Sequence, residues 1–128
     1  MIVVDASAAV ALVLAEPTQG MLTQKLAESP ERGMSPVSYS ELVMALSRIY
    51  PQPKFIADAF IRDMNVMLLT IDRRQTELAV HAFLLFGNGR HPARLNLGDC
   101  FSYAAAKATD AALLFVGADF SQTDVRQA

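Results

Sequence analysis

The sequence predicts an α/β domain, a mainly parallel sheet with helices packed on both faces. Three observations carry this reading. Short aliphatic runs at Met1–Val4, Val66–Thr70 and Ala112–Val116 look like buried strands. Longer segments with apolar residues at helical spacing separate them, and strands that alternate with helices imply parallel pairing through crossovers. The chain has 128 residues, 52% apolar and 19% charged, which is enough for one domain with a real core and too apolar for disorder.

The elements follow in order. Met1–Val4 is β-branched and ends at Asp5. Asp5 or Ser7 can cap a helix through Ala8–Ala15, which Pro17 closes. Thr18–Glu28 carries Met21, Leu22 and Leu26 on one helical face. Gly33–Val37 reads as a short strand interrupted by Pro36. Ser38 with Glu41 three residues on matches a capping box, and Leu42, Ala45, Leu46 and Ile49 mark an inward face. Pro51 and Pro53 separate that helix from another over Lys54–Met64. Val66–Thr70 is a second buried strand. The helix Asp72–Phe86 has Asp72 as N-cap, Gln75 placed to reciprocate, and Leu78, Ala79, Ala82, Phe83 and Phe86 inward. Gly87–Arg94 is a loop, Gly98–Ala108 a helix, Ala112–Val116 the last strand, and the tail is turn-rich.

Bulk properties exclude several classes. The single Cys100 cannot form an intrachain disulfide framework or a multi-cysteine zinc site, which fits a reducing cytoplasm. The start lacks a basic n-region, and the longest apolar run, Ala8–Ala15, falls well short of the roughly 20 residues of a membrane span. A soluble, near full-length chain is therefore expected. A net charge of −2 lacks the basic signature of nonspecific nucleic-acid binders, so contact with a polyanion needs a local basic patch or a cation. No dinucleotide-binding glycine motif or P-loop is present.

Five acidic residues fall at element junctions. Asp5 and Asp72 each follow a strand, Glu41 and Asp99 lie near helix starts, and Asp119 follows the last strand. In open parallel sheets, ligands sit beyond the carboxyl ends of the strands. Carboxylates gathered there resist ionising together. Helix N-termini relieve part of this and a hard divalent cation relieves far more. Such an ion can activate water and neutralise charge on a phosphodiester. Each acid also has a structural reading: Asp5 and Asp72 as caps, Glu41 in its capping box, Asp99 favouring its helix dipole, Asp119 shaping a turn. Spacing alone reaches no further than an acidic metal site. His91 between Arg90 and Arg94 forms a loop trio suited to phosphate, or simply a solvated loop. Cys100 reads as a small buried hydrophobe. A phospho-receiver reading fails because none of the lysines (Lys25, Lys54, Lys107) follows the last strand.

Three segments together resemble PIN-domain ribonucleases, specifically VapC-type toxins of type II toxin–antitoxin systems. MIVVDASAAVALVLAEP resembles the family's opening strand, SYSELVMAL its second acidic segment, and GNGRHPARLNLGDCFSYAAAKATDAALLFVGADFSQTDV its closing segment. The resemblance runs nearly end to end. It implies one PIN domain over residues 1–128 with a three-layer α/β/α sandwich, and Asp5, Glu41, Asp99 and Asp119 as the catalytic acids. It further implies Mg²⁺, or Mn²⁺ in its place, with Asp5 and Asp99 as direct ligands and Glu41 and Asp119 acting through water or a second ion. Ser7 is expected to support a carboxylate, and Asp124 competes with Asp119 as fourth acid. Arg90, His91 and Arg94 are expected to engage RNA backbone. The implied activity is endonucleolytic RNA cleavage in the bacterial cytoplasm. The implied partners are a VapB-like antitoxin and a second copy in a homodimer, with no membrane. The alternative is a PIN-like module that binds an antitoxin without cutting.

Overall fold

Four short parallel strands form the centre of the molecule in the computed structural model, which describes residues 1–128. They are β1 (Ile2–Val4), β2 (Arg32–Met34), β3 (Val66–Leu68) and β4 (Ala112–Leu114), hydrogen-bonded in the order β3-β2-β1-β4. The helices are α1 (Ala6–Val13), α2 (Gln19–Ala27), α3 (Pro36–Leu46), α4 (Pro53–Asp63), α5 (Arg73–Phe86) and α6 (Leu97–Ala108), with a single 3-10 turn at Phe120–Gln122. The predicted α/β class and parallel sheet are therefore present. No helix is long and apolar enough to cross a membrane.

Side-chain alternation along the strands divides the core in two. Ile2, Val4 and Leu114 face α1 to α4, packing with Leu12, Leu22 and Leu42. Val3, Leu113 and Phe115 face the other way, onto α5 and α6, with Tyr103 and Ala104. Period-2 strands buried on both faces read as continuous apolar runs, which is why β1 and β4 were legible.

The topology puts a crevice at one place. β2 and β3 extend to one side of β1, and the chain then crosses back to lay β4 on the other side. This reversal makes the carboxyl ends of β1 and β4 the switch point where ligands bind in open α/β sheets. Val4 and Leu114 are in register, so Asp5 and the residues after β4 leave the sheet level with one another.

Several expectations about elements need correction. α3 starts at Pro36, with Ser35 as N-cap accepting from Val37 N–H, because proline fits the first helical position. Ser38 is consequently buried inside the helix and Glu41 lies beyond the first turn, so the predicted capping box does not form. Ile49 falls past the end of α3 and is exposed. β3 is an edge strand, with Met67 and Leu68 exposed. Phe83 is also exposed, although Ala79 and Ala82 face inward as expected. Asp72 does cap α5, but the Gln75 amide turns to Thr70 O instead of reciprocating. The tail does more than turn: Leu113 N–H donates to Arg126 O and Ala128 N–H to Leu113 O, covering the free edge of β4.

Candidate active site

Asp5 sits at the centre of the crevice, only 4% exposed. It is the N-cap of α1, and its Oδ2 accepts from both Ser7 N–H (3.0 Å) and Ser7 Oγ–H (2.6 Å). Ser7 Oγ in turn accepts from Val116 N–H at 3.0 Å, so the hydroxyl bridges the ends of β1 and β4. On the other oxygen, Ser102 Oγ donates to Asp5 Oδ1. A carboxylate offers about four acceptor positions. Ser7 and Ser102 fill three of them and leave one on Oδ1. Capping and presentation to a ligand are thus compatible in one residue.

Asp99 is placed by the start of α6. Asn96 is the N-cap, its Oδ1 accepting from Asp99 N–H (2.9 Å), while Asp99 Oδ2 accepts from Asn96 N–H (3.0 Å), a reciprocal capping box. The Asp99 carboxylate is held by one oxygen only. Glu41 reaches the same place from α3: its carboxylate lies against the Cα of Gly98, where a Cβ would overlap it. Asp119 begins the 3-10 turn after β4, is exposed, and its side chain caps nothing.

Electrostatics tie these acids together. Burial first, then the charges of Asp5 and Asp99, push the Glu41 carboxyl up to about 7. Burial pushes Asp99 up to about 6, opposed by the Asn96 backbone hydrogen bond and reinforced by Asp5 and Asp119. No cation takes part in either shift. The four acids predicted from separate parts of the sequence therefore share one field. Asp124 does not: Tyr103 Oη–H (2.7 Å) and Lys107 Nζ (3.0 Å) hold its carboxylate, and these partners lower its pKa against the effect of burial. Of the two candidates for fourth acid, the fold brings Asp119 to the group.

The basic trio separates in the same way. Arg94 lines a polar cavity of about 290 Å³ with Asn88, Asn96 and Asp119. Its φ of +56° is unusual for a side-chain-bearing residue and fixes the loop's exit into α6. Arg90 turns back to Leu84 O (3.2 Å) and lies over the Phe83 ring. His91 accepts from Ala93 N–H through Nδ1 and packs edge-on against Phe86. Arg90 and His91 thus shape the loop, and neither joins the acid cavity. Cys100 is buried, with its thiol pushed up to about 11 by burial and by Asp99, which agrees with a packing role. A larger apolar groove of about 520 Å³ between α5 and α6 is separate from the acids, meeting the polar cavity at Asn88 and Asn96.

The donor set fits a hard divalent cation. It consists of carboxylate oxygens alone, several without protein donors, in a field that disfavours their charge. As the side chains stand, no three acids converge into a ligand set for one ion. Mg²⁺ is usually held by one or two carboxylates with water completing its shell.

The raised carboxyls make a prediction for the metal-free protein. Glu41 and Asp99 keep protons in the folded state at pH values where the unfolded chain has lost them. Their stabilising contribution is full below the ordinary carboxylate range and is lost as pH rises through 6 and then 7. Allowing for solvent screening of these half-exposed groups, the loss amounts to about 1–2 kcal/mol. Asp58 and Asp124, whose pKa values are lowered, change stability only below the ordinary range, outside this window. In EDTA, Tm should fall between pH 4.5 and 7.5, and Glu41→Gln should remove about half of the slope, the remainder belonging to Asp99. A wild-type Tm that stays flat or rises over that interval rejects the shared field.

Sequence reasoning missed Asn96 and Ser102, and it read Ser38 as a helix cap and Gly98 as a helix start. The N-L-G-D step (Asn96–Asp99) does contain a readable capping signal, but beginning the helix at Gly98 hides it. Nothing in the linear pattern points to Ser102, since small polar residues inside helices carry no such mark.

Comparison with known proteins follows this geometry. The PIN domain family model matches residues 2–126. The chain is 40% identical over 128 residues to Ribonuclease VapC42 of Mycobacterium tuberculosis, covering 98% of each. Its fold is similar to Mycobacterium tuberculosis VapC20, a Sarcin-Ricin loop cleaving toxin (TM-score 0.78, 20% identity, covering 100% of this chain and 98% of that one). It is also similar to a chain of a toxin–antitoxin complex from Klebsiella pneumoniae (TM-score 0.72, 17% identity, covering 97% and 93%).

Proposed function

This chain belongs to the PIN domain family, and from that membership we propose that it is a VapC-type toxin, an Mg²⁺-dependent endoribonuclease acting through Asp5, Glu41, Asp99 and Asp119. The observation that carries the reading is the gathering of the acids where β1 and β4 end: the Glu41 carboxylate of α3 lies against Gly98, next to Asp99 of α6, and Asp5 after β1 is tied to α6 through Ser102. Residues 1–128 form one PIN domain in this reading. Asp5 and Asp99 hold the ion directly: Asp99 Oδ1 takes no protein donor and Asp5 Oδ1 takes only Ser102, which leaves each an acceptor position. Glu41 and Asp119 act through water or a second ion. Mg²⁺, or Mn²⁺ in its place, supplies an activated water and charge neutralisation at the phosphodiester. Glu41, held by no protein donor, takes up the water's proton at its carboxylate. Ser7 keeps Asp5 turned to the crevice while closing the gap to Val116.

The substrate is RNA, and of the predicted trio Arg94 binds its phosphate, a reading supported by the cavity Arg94 shares with Asp119. Arg94→Ala leaves the left-handed backbone equally strained and removes only the guanidinium. It should raise KM several-fold with kcat little changed, and reduce the slope of log affinity against log salt by about 0.7. An unchanged slope removes Arg94 from the RNA path. Arg90→Ala, by contrast, should act through loop stability.

The protein partner is a VapB-like antitoxin in the bacterial cytoplasm, a reading supported by the toxin–antitoxin complex of similar fold. A homodimer is supported by apolar side chains left in solvent on α5 and at the head of α6, with Val80 55%, Leu84 54% and Leu97 72% exposed. The deciding experiment is RNA cleavage by the purified protein with Mg²⁺, its loss in EDTA, and its suppression by a co-purifying VapB-like antitoxin. Mg²⁺-dependent cutting supports the enzyme. Antitoxin binding without cutting supports the alternative, a catalytically silent PIN-like module.

A further inference from the structure

Ser38 and Ser102 are both fully buried, at 0% exposure, in a core made otherwise almost wholly of apolar side chains. Their hydroxyl oxygens are 2.8 Å apart, and Ser102 Oγ is 2.5 Å from Asp5 Oδ1. A buried hydroxyl costs stability unless it is hydrogen-bonded, so two of them in sequence call for a reason. Ser102 Oγ donates to Asp5 Oδ1. A hydroxyl has one proton to give, so Ser38 donates its own to Ser102.

The placement of the two serines gives the reason. Ser38 is three residues before Glu41 on α3, and Ser102 three residues after Asp99 on α6. Residues three apart lie on the same side of a helix, about one turn from each other. The hydroxyl chain thus fastens the two helices that carry Glu41 and Asp99, and ends on the third acid. We propose that Ser38 and Ser102 are positioning residues, a buried hydroxyl relay that sets α3, α6 and Asp5 in the mutual geometry cation binding needs. This deepens the nuclease reading and rests on it. Ser7 fixes Oδ2 of Asp5 from its own turn, and the relay fixes Oδ1 from across the sheet, so the carboxylate cannot rotate about its last bond.

Calorimetric Mn²⁺ binding tests the relay, read beside kcat, KM and Tm for wild type, Ser102→Ala, Ser38→Ala and the double variant. Partners that orient metal-binding side chains typically contribute about 10–100-fold. Ser102→Ala should weaken Mn²⁺ binding and kcat by that factor with KM little changed, because the RNA contacts are elsewhere. Ser38→Ala should have a smaller effect in the same direction. The double variant should be no worse than Ser102→Ala, since Ser38 reaches Asp5 only through Ser102. Ser47→Ala, an exposed hydroxyl at the end of α3 bonded to Met44 O, should leave Mn²⁺ binding and kcat unchanged. A lowered Tm with Mn²⁺ affinity and kcat within twofold of wild type overturns the proposal. If Ser102→Ala does not fold, Ser38→Ala decides: Mn²⁺ affinity reduced at least threefold upholds the relay and unchanged affinity ends it. Failure of the nuclease reading shows separately, as a wild type that does not cut.

Discussion

Asp99→Asn protein is expected to cut RNA more than about 100-fold more slowly than wild type while melting at a higher temperature in EDTA, a loss beyond the range seen for partners that only orient a site. Both halves follow from the geometry. The amide keeps the capping box, because its oxygen still accepts from Asn96 N–H while Asn96 still receives Asp99's backbone N–H. What disappears is a partly buried negative charge facing Asp5, Asp119 and Glu41. Removing it relieves repulsion, so Glu41 ionises more readily and the metal-free fold gains stability. The same change deletes an oxygen ligand that the proposed chemistry cannot replace. Gain in Tm with loss of kcat is the signature of a residue retained for function against its folding cost.

Asp5→Asn is a poorer test of the same idea. Its carboxylate receives three donors, so an amide nitrogen on the Ser7 side faces the Ser7 N–H, and on the Ser102 side it turns that hydroxyl into an acceptor and reverses its bond with Ser38. A rearranged core network and loss of ligand then arrive together. Asp124→Asn supplies the contrast. Its partners are Tyr103 and Lys107, so it should lower Tm and keep kcat within about twofold, as an exposed ion pair predicts. If Asp99→Asn cuts RNA as fast as wild type, the acids are not the catalytic centre. If Asp124→Asn is dead while folded, the fourth acid has been assigned to the wrong residue.

These assignments show where a linear reading reaches and where it stops. β1 and β4 were visible because strands buried on both faces are continuous apolar runs. β3 misled for the same reason: its composition is that of a central strand, but the topology leaves it at the edge, with Met67 and Leu68 in solvent. The capping signal at Ser38 misled because Ser35-Pro36 offers a better start three residues earlier, a cap followed by a proline at the first helical position. Asp5, Glu41, Asp99 and Asp119 were legible as junction acids and, more specifically, through the family's segments. Their mutual approach was not, because it depends on how α3 and α6 cross the sheet. Of Arg90, His91 and Arg94, neighbours in one loop, only the last lines the cavity with Asp119, and no periodicity encodes that.

Gly98→Ala should leave the protein folded and as stable as wild type or slightly more so, yet lower kcat and Mn²⁺ affinity by about 10–100-fold. Gly98 is buried in the first turn of α6, at a helical position where alanine gains up to about 1 kcal/mol over glycine. The new methyl would overlap Oε1, Cδ and Oε2 of Glu41. These atoms are the far end of a flexible side chain, so the carboxylate swings away and the backbone stays. Glu41 then leaves the field of Asp5 and Asp99, and its pKa returns toward the ordinary range. The variant therefore acts as a deletion of Glu41 made from the opposite helix. Two comparisons isolate the effect. Gly20→Ala, on α2 with open space where its Cβ would go, should stabilise without touching kcat. Gly98→Ala combined with Glu41→Gln should be no slower than Glu41→Gln alone, because both changes remove the same carboxylate. Additive losses in that pair, or full activity in Gly98→Ala, would mean that the glycine serves α6 packing and that Glu41 works somewhere other than against it.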